Sequence, residues 1–171
     1  RDCLLSRGLG DVYKRQNYDR VIWRCITLKI STKGRYALRL MIYIAANSNG
    51  KPVSIKDVAK NEDISDKYLE QIISILNSGG LVRSVRGPQG GYLLRKAPED
   101  ITVGAVLRLT EGTLAPVACV EEDAPECERE SICSTYNLWK QLYSAICSVV
   151  DTTTIADLCN SRPEAGDEYC I

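Results

Sequence analysis

The sequence predicts a mainly α-helical protein with one small β-hairpin, and three stretches carry that prediction. Residues 65–78 place apolar side chains at i, i+3, i+4 and i+7, the spacing of an amphipathic helix. Two short β-prone runs, 81–85 and 92–94, flank a turn rich in Gly and Pro. Apolar residues return at helical spacing from about 132 to 150. Together these stretches indicate a winged helix-turn-helix followed by a long helix suited to dimerisation.

The amphipathic pattern begins near residue 28. The chain does not start with Met, and residues 11–16, DVYKRQ, look like a translated sequencing adapter, so we interpret residues 1–27 as a non-native upstream extension. Ser31 or Thr32 then caps a first helix, which ends in a polar run at 47–50. A short second helix follows the Ser54 cap and reaches about Lys60.

The third helix begins at the cap Ser65 and ends at two Gly residues, 79–80. Its polar stripe, defined as Lys67, Glu70, Gln71 and Ser74, lies opposite the apolar face. Such a second helix of a helix-turn-helix enters the DNA major groove. Gln71 can pair with adenine, Glu70 can accept from cytosine, and Lys67 can reach guanine or a phosphate.

An ordinary solvated helix face is the alternative for this stripe. The Gly-Pro hairpin that follows, the wing, carries Arg83 and Arg86 and favours DNA binding, because a solvated face needs no such hairpin. We therefore assign these residues to the DNA surface: Lys67, Glu70, Gln71, Ser74, Arg86, Lys33, Arg35 and Tyr36. Residues 28–112 form the predicted DNA-binding domain.

Composition narrows the classes of function. The chain has 171 residues and a formal net charge of zero, but residues 28–100 carry 12 basic and 7 acidic side chains, which fits a phosphate-binding surface. With no His, Ser-His and Cys-His catalysis are excluded. No apolar run is long enough to span a membrane. Eight Cys without a secretory signal indicate a reducing compartment, so we expect the cytoplasm.

The acidic segment 113–131, here called the cysteine loop, is the candidate sensor. Cys119, Cys127 and Cys133, the last at its edge, have the spacing C-x7-C-x5-C, and thiolates suit iron–sulfur clusters or zinc. Buried packing thiols are the alternative, which we prefer for Cys147 and Cys159. The fourth ligand stays open among these side chains or a group of a second subunit: Glu121, Glu122, Asp123, Glu128, Glu130 and Tyr136.

Residues 132–160 comprise the long helix and a short terminal helix capped within 151–154, and residues 161–171 form a tail. The long helix has more apolar surface than a small winged domain needs, so we expect it to pair with a second copy. Packing within its own domain is the alternative. A two-fold dimer would bind a palindromic operator in double-stranded DNA.

Four segments resemble the IscR and CymR family of bacterial regulators, the Rrf-two type: LKISTKGRYALRLM, DKYLEQIISILNSGGLVRSVRGPQGGYLL, EGTLAPVACVEE and DTTTIADL. The resemblance implies a homodimeric winged helix-turn-helix regulator, with an iron–sulfur cluster in its three-cysteine members. It implies base contacts for Lys67, Glu70 and Gln71, a minor-groove approach for Arg86, and cluster ligation for Cys119, Cys127 and Cys133. Two features depart from the family: the first cysteine spacing is two residues longer, and Tyr136 and Arg35 stand where relatives carry a histidine or an acidic ligand.

We therefore expect a transcriptional repressor that senses iron–sulfur or redox status and controls iron–sulfur, iron or cysteine-metabolism genes. A 2Fe–2S cluster is favoured over a 4Fe–4S cluster. The first alternative is a cluster-free repressor, either thiol-redox sensing or CymR-like. A thiol redox enzyme is the second, which the absence of a C-x-x-C pair and of His disfavours.

Overall fold

The computed structural model describes residues 29–125, 127 and 129–161. The predicted extension 1–27, the tail beyond 161 and the candidate ligand Glu128 lie outside these residues. The helices are α1 Thr32–Asn47, α2 Ile55–Glu62, α3 Asp66–Ser78, α4 Val103–Glu111, α5 Tyr136–Thr152 and α6 Ile155–Asn160; the strands are β1 Val82–Val85 and β2 Gly91–Leu94. The mainly helical fold with a small wing is confirmed.

Local sequence signals explain most helix starts. The hydroxyls of Ser31, Ser54, Thr102 and Thr154 each accept a hydrogen bond from a first-turn N–H. Ser65 occupies the same position before α3, but its hydroxyl makes no capping bond. At the other end of α3, Gly80 takes the left-handed conformation with φ 75°.

The long helix begins later than its apolar pattern predicts. Residues Glu130–Ile132 form a separate 3-10 turn, and α5 begins only at Tyr136. A second 3-10 turn, Ala118–Val120, lies inside the cysteine loop. The apolar spacing continues through both the turn and the helix, so periodicity alone does not mark the break between them.

The core joins the helix-turn-helix to both ends of the described chain. Leu40, Met41 and Ile44 of α1 pack with Leu69, Ile72 and Leu76 of α3, all at most 1% exposed. Ile155 of α6 is fully buried in this same core. The terminal helix therefore belongs physically to the unit that presents α3.

Helix α5 packs on one side only. Its Tyr143, Ile146 and Val150 lie against an apolar cluster formed mainly by α4: Val103, Leu107 and, beyond that helix, Leu114. No α5 residue is buried, and Leu138 and Val149 are 55% and 63% exposed. Within the described part of the chain, no helix is both long and apolar enough to cross a membrane.

Candidate nucleic-acid interface and cysteine loop

The polar stripe of α3 faces solvent along its whole length. Lys67, Glu70, Gln71 and Ser74 are all exposed, whereas Leu69, Ile72, Ile73 and Leu76 on the opposite face are buried. The core therefore fixes the helix and leaves its donors and acceptors available for base edges. The Ser65 side chain makes no capping bond, but its carbonyl accepts hydrogen bonds from the Tyr68 and Leu69 N–H groups at 3.1 Å each.

The wing stands next to this helix on a short antiparallel ladder. Val82 pairs with Leu94 and Val85 with Gly91, and the tip between the strands includes exposed Arg86. An isolated antiparallel bridge between Val53 and Tyr92 adds a third segment of the chain to this ladder, just before α2 begins. The wing is thus held by the same segment that leads into the helix-turn-helix.

The predicted DNA-surface residues of α1 differ in how they are held. Arg35 is exposed, and its Nη2 donates to Thr32 Oγ1 at 3.2 Å. Lys33 is partly exposed. Tyr36 is half-buried, and its ring meets that of Tyr68 edge-on, with centroids 5.8 Å apart. The Tyr36 ring therefore packs against α3, and a role at the DNA stays a prediction for all three side chains.

Sequence reasoning missed one contact that bears on this surface. Arg39 donates from Nε to Glu62 Oε2 at 2.7 Å and from Nη2 to the Glu62 carbonyl at 2.6 Å. Its guanidinium carbon also lies 5.6 Å from the centre of the Tyr36 ring. No local pattern predicts a pair 23 residues apart in the chain.

The three cysteines in and beside the cysteine loop are reduced thiols in this structure. Cys119 and Cys127 are half-buried, Cys133 is exposed, and none forms a disulfide. Successive turns connect two of them to α5: the N–H of Glu130 donates to the Cys127 carbonyl, that of Cys133 to the Glu130 carbonyl, and that of Tyr136 to the Cys133 carbonyl. Segment 127–136 is therefore continuous with the start of α5.

Burial and neighbouring acidic groups act on the Tyr136 phenol. Its pKa is raised from the ordinary value by partial desolvation, then by the Glu130 carboxylate and the charges of Cys119 and Cys127. The pKa of Cys133 is lowered by its hydrogen bond with Thr135, at an Sγ to Oγ1 distance of 3.5 Å. Cys133 thus ionises more readily than an ordinary thiol.

As ligand chemistry, three thiols and a phenol at one end of α5 fit an iron–sulfur cluster. The described residues contain no group of three His, Cys, Asp or Glu side chains close enough to hold a metal ion. The donor types are therefore present, but Cys119, Cys127 and Cys133 are not gathered around one centre. Holding a cluster requires the loop to close.

A second contact joins α4 to α5. Arg108 contacts both carboxylate oxygens of Asp151, with Nη2 to Oδ2 at 2.8 Å, and its Nη2 also lies 3.6 Å from the Cys147 sulfur. The hydrogen bond from Arg108 lowers the pKa of Asp151 below its ordinary value. Cys147 therefore lies beside a charged group, in a more polar setting than its apolar sequence neighbours predict. Cys159, in contrast, packs against the main core as expected.

Comparison with known proteins identifies close relatives. The profile of Rrf2, described as "Iron-dependent Transcriptional regulator", matches residues 30–161. The HTH-type transcriptional regulator CymR of Bacillus subtilis (strain 168) is 41% identical over 142 residues, which cover 83% of this chain and 97% of CymR. The HTH-type transcriptional regulator IscR of Yersinia pestis is 38% identical over 135 residues, covering 79% and 81%.

Solved structures agree with this result. The structure of CymR, the global cysteine regulator of B. subtilis, superposes with a TM-score of 0.65 at 42% identity, covering 78% of this chain and 98% of that one. The T. potens IscR structure superposes with a TM-score of 0.65 at 37% identity, covering 81% and 91%. Both likenesses extend across the helix-turn-helix, the wing and the helices that follow.

Proposed function

This chain belongs to the Rrf2 family and is a DNA-binding transcriptional regulator, not an enzyme; on that premise we propose that it is a repressor whose cysteine loop senses iron–sulfur status. The observation that carries the DNA-reading part is the exposed polar stripe of α3 beside an anchored wing. We assign base contacts to Lys67, Glu70, Gln71 and Ser74, and the wing contact to Arg86. The proposed site of action is the cytoplasm.

Phosphate contacts are the proposed role of the α1 side chains Lys33 and Arg35, which lie at the start of the helix that packs on α3. Such contacts fix register and orientation, while base contacts discriminate sequence. Tyr36 acts beside them, with its ring against Tyr68. In this proposal the α1 residues set the position of the protein on the duplex, and the α3 residues set its preference for a base sequence.

A homodimer is the proposed assembly. Leu138, Leu142, Ala145 and Val149 lie along one side of α5, away from the face that packs on α4, and the ends of this stripe are more than half exposed. Burial of such a stripe against a second copy removes apolar surface from water. Two-fold pairing would present two copies of α3 to a palindromic operator.

For sensing, we assign Cys119, Cys127 and Cys133 as ligands of an iron–sulfur cluster, with 2Fe–2S favoured over 4Fe–4S. When bound, the cluster supplies a centre whose presence and charge follow iron and oxidant supply. The lowered pKa of Cys133 favours its thiolate, the form that binds metal. The phenol of Tyr136 lies near Cys119 and Cys127 and is a candidate fourth donor. Closure of the loop would change the conformation at the N-terminal end of α5. It would thereby change the orientation of one subunit of the dimer relative to the other.

A cluster-free repressor of cysteine-metabolism genes is the second candidate. The similarity to the global cysteine regulator CymR favours it, and so do the three thiols that are not gathered in the described residues. In that case, the cysteine loop either has no sensing role or responds to oxidants through its thiols.

Anaerobic purification followed by a visible spectrum and iron and sulfide counts separates the two candidates. If the cluster proposal holds, the parent binds iron and sulfide, whereas Cys119→Ala/Cys127→Ala/Cys133→Ala remains folded, binds DNA and no longer responds to iron or oxidant. Cys147→Ala is the matched control and keeps the cluster. A parent protein without iron and sulfide that still binds a selected operator would support the cluster-free repressor. Absence of any selected operator would contradict both candidates.

A further inference from the structure

The Arg39 guanidinium is bonded to other groups of the protein, although Arg39 lies on the helix that carries the proposed phosphate contacts. It donates to the Glu62 carboxylate at 2.7 Å and to the Glu62 carbonyl at 2.6 Å. Its third contact is the face of the Tyr36 ring. From its charge alone, Arg39 would be counted among the residues that bind phosphate. The structure instead commits its Nε and one Nη nitrogen to Glu62, although the Arg39 side chain stays 45% exposed.

Glu62 is the last residue of α2 and stands at the turn of the helix-turn-helix. Its side chain is only 11% exposed, and the backbone then reverses at Asp63 with φ 51°. The final carbonyls of a helix lack partners within the helix, so the bond from Arg39 satisfies one of them. Arg39 thus ties α1 to the point where the chain turns toward α3.

The same guanidinium is connected to α3 through two rings. Tyr36 lies beneath Arg39 and meets Tyr68 of α3 edge-on at 5.8 Å. Tyr68 follows Lys67 directly and precedes Gln71 by three residues, which is nearly one helical turn. The two rings therefore link Arg39 to the helix that carries the polar stripe.

We propose that Arg39 is a positioning residue for DNA reading, which fixes α3 through Glu62 at the turn and through the Tyr36–Tyr68 pair. This inference rests on the proposed role of the polar stripe in base contacts. It assigns Arg39 an effect on discrimination between sequences rather than on attraction to phosphate. Base contacts depend on placement, whereas phosphate attraction depends mainly on charge.

Arg39→Lys is the decisive variant because it keeps the positive charge but cannot make the two hydrogen bonds that the planar guanidinium donates to Glu62. Dissociation constants are measured for a selected operator and an unrelated duplex over a series of salt concentrations. We expect Arg39→Lys and Arg39→Met each to weaken operator binding by about tenfold, the loss expected from a charge-assisted hydrogen bond. Binding of Arg39→Lys to the unrelated duplex, and its salt dependence, stay at parent values.

Glu62→Gln provides an independent variant that leaves Arg39 in place, and it should reduce operator preference in the same direction. Thermal melting of each variant shows that binding is measured on folded protein. Lys33→Met is the phosphate-contact comparison, which should weaken both duplexes and lower the salt slope by about one.

Operator affinity of Arg39→Lys at the parent value would overturn the inference, as would equal weakening of both duplexes. A parent protein that does not prefer its selected operator would instead contradict the proposed function itself. The two failures are therefore distinguishable in one set of titrations.

Discussion

Val53 and Tyr92 exchange two backbone hydrogen bonds, of 3.0 Å and 2.8 Å, and these bonds fasten the wing to the residue just before the α2 cap. The contact requires a close approach at the neighbouring residue. A Cβ on Gly91 would lie 2.3 Å from the Val53 carbonyl oxygen and 2.6 Å from its carbon. The obstruction is backbone, so no side-chain rotation relieves it.

Gly91→Ala is therefore expected to displace the wing and weaken DNA binding. Overpacking of this kind costs about 1–3 kcal/mol of folding free energy. Urea unfolding and operator titration measure the two effects. Gln89→Ala, at the exposed wing tip, is the control and should leave stability unchanged. Parent-like stability and affinity for Gly91→Ala would show that the wing can move without consequence.

Replacement of Gln71 should alter sequence discrimination. Gln71→Ala removes a bidentate donor and acceptor from the exposed stripe, at a cost of about 1–3 kcal/mol at one base position. Lys33→Ala should weaken all sequences alike and reduce the salt dependence. Selection from a random duplex library reports the first effect, and titration against salt reports the second. An unchanged selected motif for Gln71→Ala would mean that the recognition face is assigned wrongly.

The apolar side of α5 should control self-association. Val149→Glu places a charge at one end of this stripe, on a side chain that is 63% exposed in the single chain, so the monomer tolerates it while a paired interface does not. We expect at least a hundredfold weaker dimerisation by analytical ultracentrifugation, since an unpaired charge in an interface costs several kcal/mol. Ser144→Glu, on the polar side of the same helix, should dimerise normally. Equal behaviour of the two variants would place the interface elsewhere.

Cys133 should react first among the three loop thiols. It is exposed, and its hydrogen bond with Thr135 lowers its pKa, which raises its thiolate fraction at neutral pH. Brief iodoacetamide treatment of metal-free protein, read by peptide mass spectrometry, should therefore modify Cys133 several-fold faster than Cys119 and Cys127. The part of the difference that comes from the lowered pKa of Cys133 should shrink once the pH is high enough to ionise Cys133 fully. Faster modification of Cys119 would contradict this order.

The Arg108–Asp151 pair should contribute to stability only above acidic pH. Since Arg108 lowers the Asp151 pKa from its ordinary 3.8, the contribution is present above that value and is lost as the pH falls through the lowered pKa. Both side chains are more than a third exposed, so Asp151→Asn should cost at most about 1 kcal/mol at pH 7. Urea unfolding at pH 7 and pH 3 should show this difference shrinking in acid. Asp100→Asn, on an exposed turn, is the comparison.

Sequence patterns predicted the parts of this molecule that depend on neighbours in the chain. The spacing of Leu69, Ile72 and Leu76 predicted both α3 and its buried face, which is confirmed. The four observed hydroxyl caps follow from short side chains placed before apolar periodicity. The family resemblance is likewise confirmed.

Contacts between distant residues were not predictable in this way. The Arg39–Glu62 pair joins residues that share no periodic pattern, and both side chains would pass as ordinary surface charges. The start of α5 was placed too early because apolar spacing runs without interruption across the Glu130–Ile132 turn. The spacing of the cysteines indicated possible ligands for a metal. It carries no information on whether the loop holds these cysteines close together when no metal is bound.

The burial of Ile155 among the helices of the DNA-binding unit has a consequence for synthesis of the protein. A nascent chain that has emerged only as far as the wing has α1 and α3 available but lacks Ile155 and the other later residues of their shared core, Ile101 and Val106. At about 5–20 residues per second, α6 follows the wing several seconds later. During that interval the nascent helix-turn-helix exposes apolar surface to chaperones and to neighbouring chains. We therefore expect the core of the DNA-binding unit to be completed only after α6 has been made, by which point the helix proposed to recruit the second subunit is also present.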